Sequence, residues 1–361
     1  MKKTLLLISI LFVSILFFVG KGVCAETKTW NLKVSTMAGA ADRGCTILGA
    51  WYLMDRIEME TKGRIKYKKF PGSQLARPPE VPIALQKGVI DIHFTGGVSF
   101  YSGIAPEISF NMVPGVIDTW EVADRLVKHP EINKIMSNAW SKTNGHWLGY
   151  VPGPGQMFFL NKEVKNLDDF KRLKLGSSGG MFDKFANLLG AAVVTVPPAE
   201  RFTALQNKTI DGFTGMFFGL EDYKWGEVTK YAVVPQIIAP NVYGAVIRKD
   251  LWDEFPDDIK DAIHRANEWH WLFMKDWITN YLDKFEDPIS VKKYGVKIVN
   301  LSASDKEKYE KAFEEMEEIF ARQSPECRRL IEIYRKDLKK FKNVGELVKD
   351  ERGRYKEYGI K

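Results

Sequence analysis

Ala84-Leu85-Gln86-Lys87-Gly88-Val89-Ile90-Asp91 and Ala204-Leu205-Gln206-Asn207-Lys208-Thr209-Ile210-Asp211 share five residues in the same order and spacing, about 120 positions apart. The first copy runs on to Phe94-Thr95-Gly96 and the second to Phe213-Thr214-Gly215. Each is preceded by a proline pair and an acid: Pro78-Pro79 with Glu80, and Pro197-Pro198 with Glu200. The pattern predicts a helix end, a tight turn and a short buried strand in each copy. Two such α/β units predict two similar lobes. In open α/β sheets ligands sit beyond the carboxyl ends of the strands. Gly96 and Gly97 of one lobe should therefore face Thr214 and Gly215 of the other across a cleft, where small residues leave room for a ligand.

Elsewhere strand-like and helix-like runs alternate. Trp30 to Thr36 and Ile65 to Phe70 read as strands, with an amphipathic helix from Thr46 to Thr61 between them. Pro152-Gly153-Pro154-Gly155 reads as a stiff turn between extended segments. Leu173 to Leu175 reads as a strand and Met181 to Leu189 as a helix. Lys230 to Ile238 and Tyr243 to Ile247 are apolar strand-like runs that could carry the chain back to the first lobe. From Asp257 on the chain is mainly helical, with long charged amphipathic stretches at 304–321 and 325–341. The expected organisation is a leader at 1–25, a first lobe at 26–150 and a second at 151–239. Segments at 240–300 are shared by the first lobe and the hinge, and a helical region follows at 301–361.

The N-terminus bears on the compartment. Lys2-Lys3, an apolar run from Leu5 to Val19 and the small-residue exit Val23-Cys24-Ala25 follow the order of a cleaved secretory signal. The run is shorter than the roughly 20 residues of a spanning helix. Loss of residues 1–25 removes Lys2, Lys3 and Lys21 and no acid, so the formal charge falls from +7 to +4. That charge is too weak and too evenly spread to argue for nucleic acid. Cys45 and Cys327 alone would remain, and their separation predicts no pairing by itself. Cys24 follows Val23 rather than a small residue, which argues against a lipid anchor there.

Nothing makes a positive case for catalysis. The five histidines, His93, His129, His146, His264 and His270, show no metal-ligand spacing with Cys or carboxylates. There is no phosphate loop and no nucleophile elbow, and Gly153-Pro154-Gly155 lacks a third glycine at the dinucleotide spacing.

Asn161-Lys162, then Leu167 to Leu175, Leu189-Gly190-Ala191, Val196 to Glu200 and Ala204 to Gly212 follow an ordered pattern. Thr61-Lys62-Gly63-Arg64-Ile65, Pro71-Gly72-Ser73-Gln74-Leu75 and Leu85 to Asp91 continue it in the first lobe. Together they resemble the periplasmic receptors of tripartite ATP-independent periplasmic (TRAP) transporters, over about Trp30 to Pro256. The resemblance implies an α/β, two-lobed, periplasmic-binding-protein-like (type II) fold with a hinge and long C-terminal helices. It implies a receptor, not an enzyme, that carries a small organic acid to membrane permease subunits, with no cofactor and no nucleic acid. A homodimer through the C-terminal helices is compatible with it.

Two departures from the family pattern matter for the ligand. The resemblance implies an Arg at the end of the strand Leu173 to Leu175, gripping a carboxylate through a planar fork; here that position is Gly176. Either the ligand is not an ordinary carboxylate or its anion is held elsewhere. The stretch Gly176-Ser177-Ser178-Gly179-Gly180, just before a helix, offers backbone N–H groups and hydroxyls for that purpose. It reads equally as an ordinary cap. The branch that holds a cation beside the ligand uses a carboxylate where Thr214-Gly215 stand here, so no metal is expected. Gln156 does match that branch. With Gln74, Gly96, Gly97, Phe100, Tyr101, Gly176, Ser177, Ser178, Phe213, Thr214 and Phe217 it makes up the expected ligand-binding set. If Phe100, Tyr101, Phe213 and Phe217 line the cleft, the ligand is larger or more aromatic than a small dicarboxylate. A neutral or cationic solute, or an exported enzyme on this scaffold, are the rival readings.

Overall fold

A computed structural model describes residues 28–37, 45–95 and 101–341. The proposed leader, Gly96, Gly97, Phe100 and the last twenty residues lie outside the described residues.

Two sheets carry the fold. The first has the order β2-β1-β3-β10-β4, made of β1 (Trp30–Thr36), β2 (Ile65–Phe70), β3 (Ile92–Thr95), β4 (Gly145–Gly153) and β10 (Asn241–Arg248). The second has the order β11-β9-β5-β8-β6-β7. Its members are β5 (Gln156–Leu160), β6 (Lys174–Ser177), β7 (Ala192–Thr195), β8 (Gly212–Gly215), β9 (Tyr231–Ile238) and β11 (Lys297–Asn300). Every residue of β5 and β8 is buried, as expected for strands covered on both faces.

The repeated motif folds the same way twice. Val89 N–H donates to Ala84 C=O at 2.9 Å, and Thr209 N–H donates to Ala204 C=O at 2.9 Å. The turn needs a left-handed residue in both copies, met by Gly88 (φ 65°) and by Lys208 (φ 58°). Asp91 and Asp211 then exchange bonds with a neighbouring strand. The Asp91 carboxylate accepts from Lys33 N–H at 2.8 Å and the Asp211 carboxylate from Lys174 N–H at 3.0 Å. Consequently β3 lies parallel to β1 and antiparallel to β10, while β8 lies parallel to β6 and antiparallel to β5.

The chain passes between the sheets at two adjacent places. From β4 it crosses at Gly153-Pro154-Gly155 into β5, and from β9 it crosses back at Ala239-Pro240 into β10. The Pro-Gly stretch, expected as a turn, is thus a passage between sheets. A Cβ on Gly153 would lie 2.4 Å from the Tyr243 ring, and one on Gly155 2.4 Å from Gln236 Oε1. The glycines are there because these side chains press on the crossing backbone. A third link is the helical run from Asp257 to Tyr294. It ends at β11, which pairs with β9 in the second sheet. Residues 297–300, expected among segments shared by the first lobe and the hinge, belong to the second sheet instead.

The C-terminal helices, Ala303–Ala321 and Pro325–Ile333, brace both lobes. Phe313 stacks on Phe185 of the second lobe at 5.2 Å, while Phe320 meets Phe110 of the first at 5.8 Å. Their apolar stripe is therefore buried within the chain itself. Cys327, on the second of these helices, is a free buried thiol.

Candidate functional site

The parallel strands of each sheet end toward the same region. On the second-lobe side β6 ends at Ser177 and β8 at Gly215. The loop after β6 bends through Gly179 (φ 93°) and Gly180 (φ 72°) into the helix Met181–Leu188, with no side chain capping it. Ser177 is buried, and its hydroxyl accepts from Gly179 N–H at 3.3 Å. Gly176 packs face-on: a Cβ there would lie 3.0 Å from Ile210 Cδ1 and 3.3 Å from Val196 Cβ.

Over these strand ends lies a side chain that the sequence reading passed over. Arg201 opens the helix Arg201–Gln206 and is 3% exposed. Its Nε donates to Val196 C=O at 3.1 Å and Nη1 to Thr214 C=O at 2.7 Å. Nη2 donates to the Ser178 hydroxyl at 2.6 Å. The guanidinium sits 5.6 Å from the rings of both Phe213 and Trp225. Among the described residues no carboxylate forms an ion pair with it. Burial pulls its pKa down to about 10, opposed by Tyr223, Tyr243 and Asp183, so it remains charged at neutral pH.

A second polar cluster spans the crossings. Gln156, first residue of β5, donates through Nε2 to the Tyr243 hydroxyl at 3.3 Å, and Asn241 Nδ2 donates to the same oxygen at 2.9 Å. That hydroxyl in turn donates to Met216 Sδ at 3.4 Å. Asn241 is fully buried, and its Oδ1 has no partner among the described residues. Buried polar atoms are nearly always satisfied in folded proteins, so this acceptor is open to a ligand donor or water.

The structure sorts the expected set. Gln156, Gly176, Ser177, Ser178 and Thr214 come together around the β6 and β8 ends and the crossings. Gln74 lies in an exposed turn beyond β2, beside Ser73, whose N–H donates to Thr36 C=O at 3.1 Å. The described aromatic members, Tyr101, Phe213 and Phe217, are core. Tyr101 is buried edge-on against Trp140 at 4.8 Å. Phe213 packs on Trp225 at 4.7 Å, and Phe217 on Phe159 at 5.5 Å. Arg201 and the Asn241–Tyr243 pair were missed. A lone Arg entering an apolar helix was a usable signal for the first; nothing local marked the second.

Two α/β lobes joined by paired crossings, with polar groups gathered where they meet, define a two-lobed solute-binding protein. The chain belongs to the DctP family, bacterial extracellular solute-binding protein family 7, whose profile matches residues 38–323. It is similar to the C4-dicarboxylate-binding periplasmic protein DctP of Rhodobacter capsulatus, 23% identical over 219 residues. That alignment covers 60% of this chain and 65% of the relative. In fold it is similar to DctP7 of Bordetella pertussis, an extracytoplasmic solute receptor binding pyroglutamic acid. The TM-score is 0.76 at 19% identity, covering 85% of this chain and all of that one. A TRAP periplasmic solute-binding protein from Rhodoferax ferrireducens, with bound malonate, superposes with a TM-score of 0.73 at 19% identity, covering 84% and 97%.

Proposed function

We propose that this chain is the exported receptor of a TRAP transporter, which closes its lobes on an organic acid and hands it to membrane permease subunits. The observation that carries the reading is the pair of adjacent crossings, spanned by Gln156, Asn241 and Tyr243. Two short connections side by side confine relative motion of the lobes to a hinge, and the polar cluster there is placed to sense a solute. The acidic ligands named for the relatives support an organic acid. Cleavage near Ala25 and absence of a required metal remain part of the reading, whereas a homodimer through the C-terminal helices loses its apolar contact surface, because Phe313 and Phe320 pack inside the chain. The aromatic ligand expected from Phe213 and Phe217 loses that support, because both rings are core.

A neutral or cationic solute is the second reading, favoured by Gly176 where the family pattern has Arg. One experiment separates the two. Mature protein is screened by thermal shift against organic acids, their amides and amines, and the solute that stabilises it is followed by small-angle scattering. A native-state ligand raises the melting temperature, and closure should lower the radius of gyration. Stabilisation by amides or amines but by no acid refutes the organic-acid reading. An unchanged radius at saturation refutes hinge closure.

A further inference from the structure

We propose that Arg201 is the anion-binding residue of the cleft, holding a ligand carboxylate in place of the Arg that the family pattern puts at Gly176. The proposal rests on the organic-acid reading and names the residue responsible.

The first argument is charge. A buried charge without a counter-ion is costly unless something compensates it. Arg201 meets three neutral acceptors, the carbonyls of Val196 and Thr214 and the hydroxyl of Ser178, and two aromatic rings. None carries a formal negative charge. Asp183, in the first turn of the helix Met181–Leu188, acts on it only at a distance beyond ion-pair contact. A guanidinium has five N–H donors, and three are used among the described residues. The remaining two suit a carboxylate, whose two oxygens accept from an Arg fork.

The second argument is position. Gly176 faces Val196, and Val196 is the residue whose carbonyl accepts from Arg201. Gly176 is also registered with Phe213, the ring beneath the guanidinium. Ile210 and Val196 close off the side of Gly176 where a side chain would start, and the cation lies beside this strand end, reaching it from the neighbouring helix rather than from the strand. The loop Ser177 to Gly180, itself a candidate anion site, meets Arg201 through Ser178. Loop and Arg form one site, with Ser178 positioning the guanidinium.

The test uses mature wild type, Arg201→Gln and Arg201→Lys, with pyroglutamate, malonate and benzoate each beside its amide, and further acids from the thermal-shift screen. The tightest acid is carried into calorimetry. Wild type should prefer that acid over its amide by about a hundredfold or more, since charge-assisted pairing is the strong kind. Arg201→Gln, shown folded by circular dichroism, should lose about a hundredfold in acid affinity along with most of the preference. Arg201→Lys should keep part of both, because the charge survives without the planar fork. A folded Arg201→Gln that binds the acid within threefold of wild type overturns the proposal while leaving the receptor reading intact. Failure of every acid to bind wild type, with amides binding instead, overturns both. If neither variant folds, a crystal structure of wild type with the acid decides. A carboxylate in contact with the guanidinium supports the assignment, and one held elsewhere overturns it.

Discussion

Gln156 and Tyr243, 87 positions apart in sequence, are joined by a 3.3 Å hydrogen bond where the chain passes from one lobe to the other. Gln156 begins the first strand after one crossing, and Tyr243 lies just past the other, so the bond ties the two crossings side by side. Asn241 donates to the same hydroxyl, which makes it the acceptor for both. Removing that oxygen strands two buried donors. Tyr243→Phe should therefore destabilise the apo protein by about 1–3 kcal/mol, read as a lower urea midpoint at unchanged slope. A midpoint equal to wild type would show that water replaces the hydroxyl.

The duplicated carboxylates should differ in weight. Asp91 is 5% exposed and faces Arg248 at 3.5 Å as well as the Lys33 amide. Asp211 makes the matching backbone bond but is more open to solvent, beside Lys162. Asp91→Ala should cost about 2–3 kcal/mol and Asp211→Ala about 1–2 kcal/mol, measured by chemical denaturation. Equal losses would mean that burial does not set the difference.

Two glycines separate backbone strain from crowding. Gly115 (φ 79°) lies against Phe313 of the C-terminal brace, where a Cβ would come within 2.4 Å of the ring. Gly63 (φ 76°) has nothing within 4 Å of its Cβ position. Gly63→Ala should lose only about 1 kcal/mol, the cost of a left-handed side chain. Gly115→Ala adds overpacking and should lose about 2–4 kcal/mol in all, visible as a larger drop in melting temperature. Similar losses would show that Phe313 moves aside freely.

Acid should weaken the fold through its buried histidines. Burial lowers the pKa of His93 and of His270 to about 4, far below the ordinary value of 6.5. Each stays neutral in the folded state while the unfolded chain takes up a proton below about pH 6.5. Their stabilisation is complete above that pH and falls between about 6.5 and 4. The loss is on the order of 3 kcal/mol for each ring. Stability measured by urea at pH 7, 6 and 5 should decline, and His270→Gln should flatten the slope. An unchanged slope in the variant would exclude His270 as a source.

Local sequence carried the repeated unit furthest. Ala84 to Asp91 and Ala204 to Asp211 showed helix, turn and strand because each depends on contacts within a few residues: a bond five residues back, a left-handed turn position and an alternating apolar run. β1 and β2 were legible for the same reason, and so was the family from the ordered pieces around them. The function of Pro152 to Gly155 was not, because a turn and a passage between sheets have the same local chemistry. They differ only in which sheet receives the next strand. The aromatic residues of the expected set were undecided for a similar reason: Phe213 and Thr214 are neighbours, yet packing sends the ring into the core and leaves the Thr214 carbonyl to accept from Arg201. Sequence by itself determined two α/β lobes, their family and the glycine at 176 where the family pattern has Arg. Only the tertiary structure decided which cation lies beside that glycine, because Val196, Ser178, Thr214 and Arg201 are brought together by separate strands and a helix, and burial of a charge is a property of that assembly rather than of any segment.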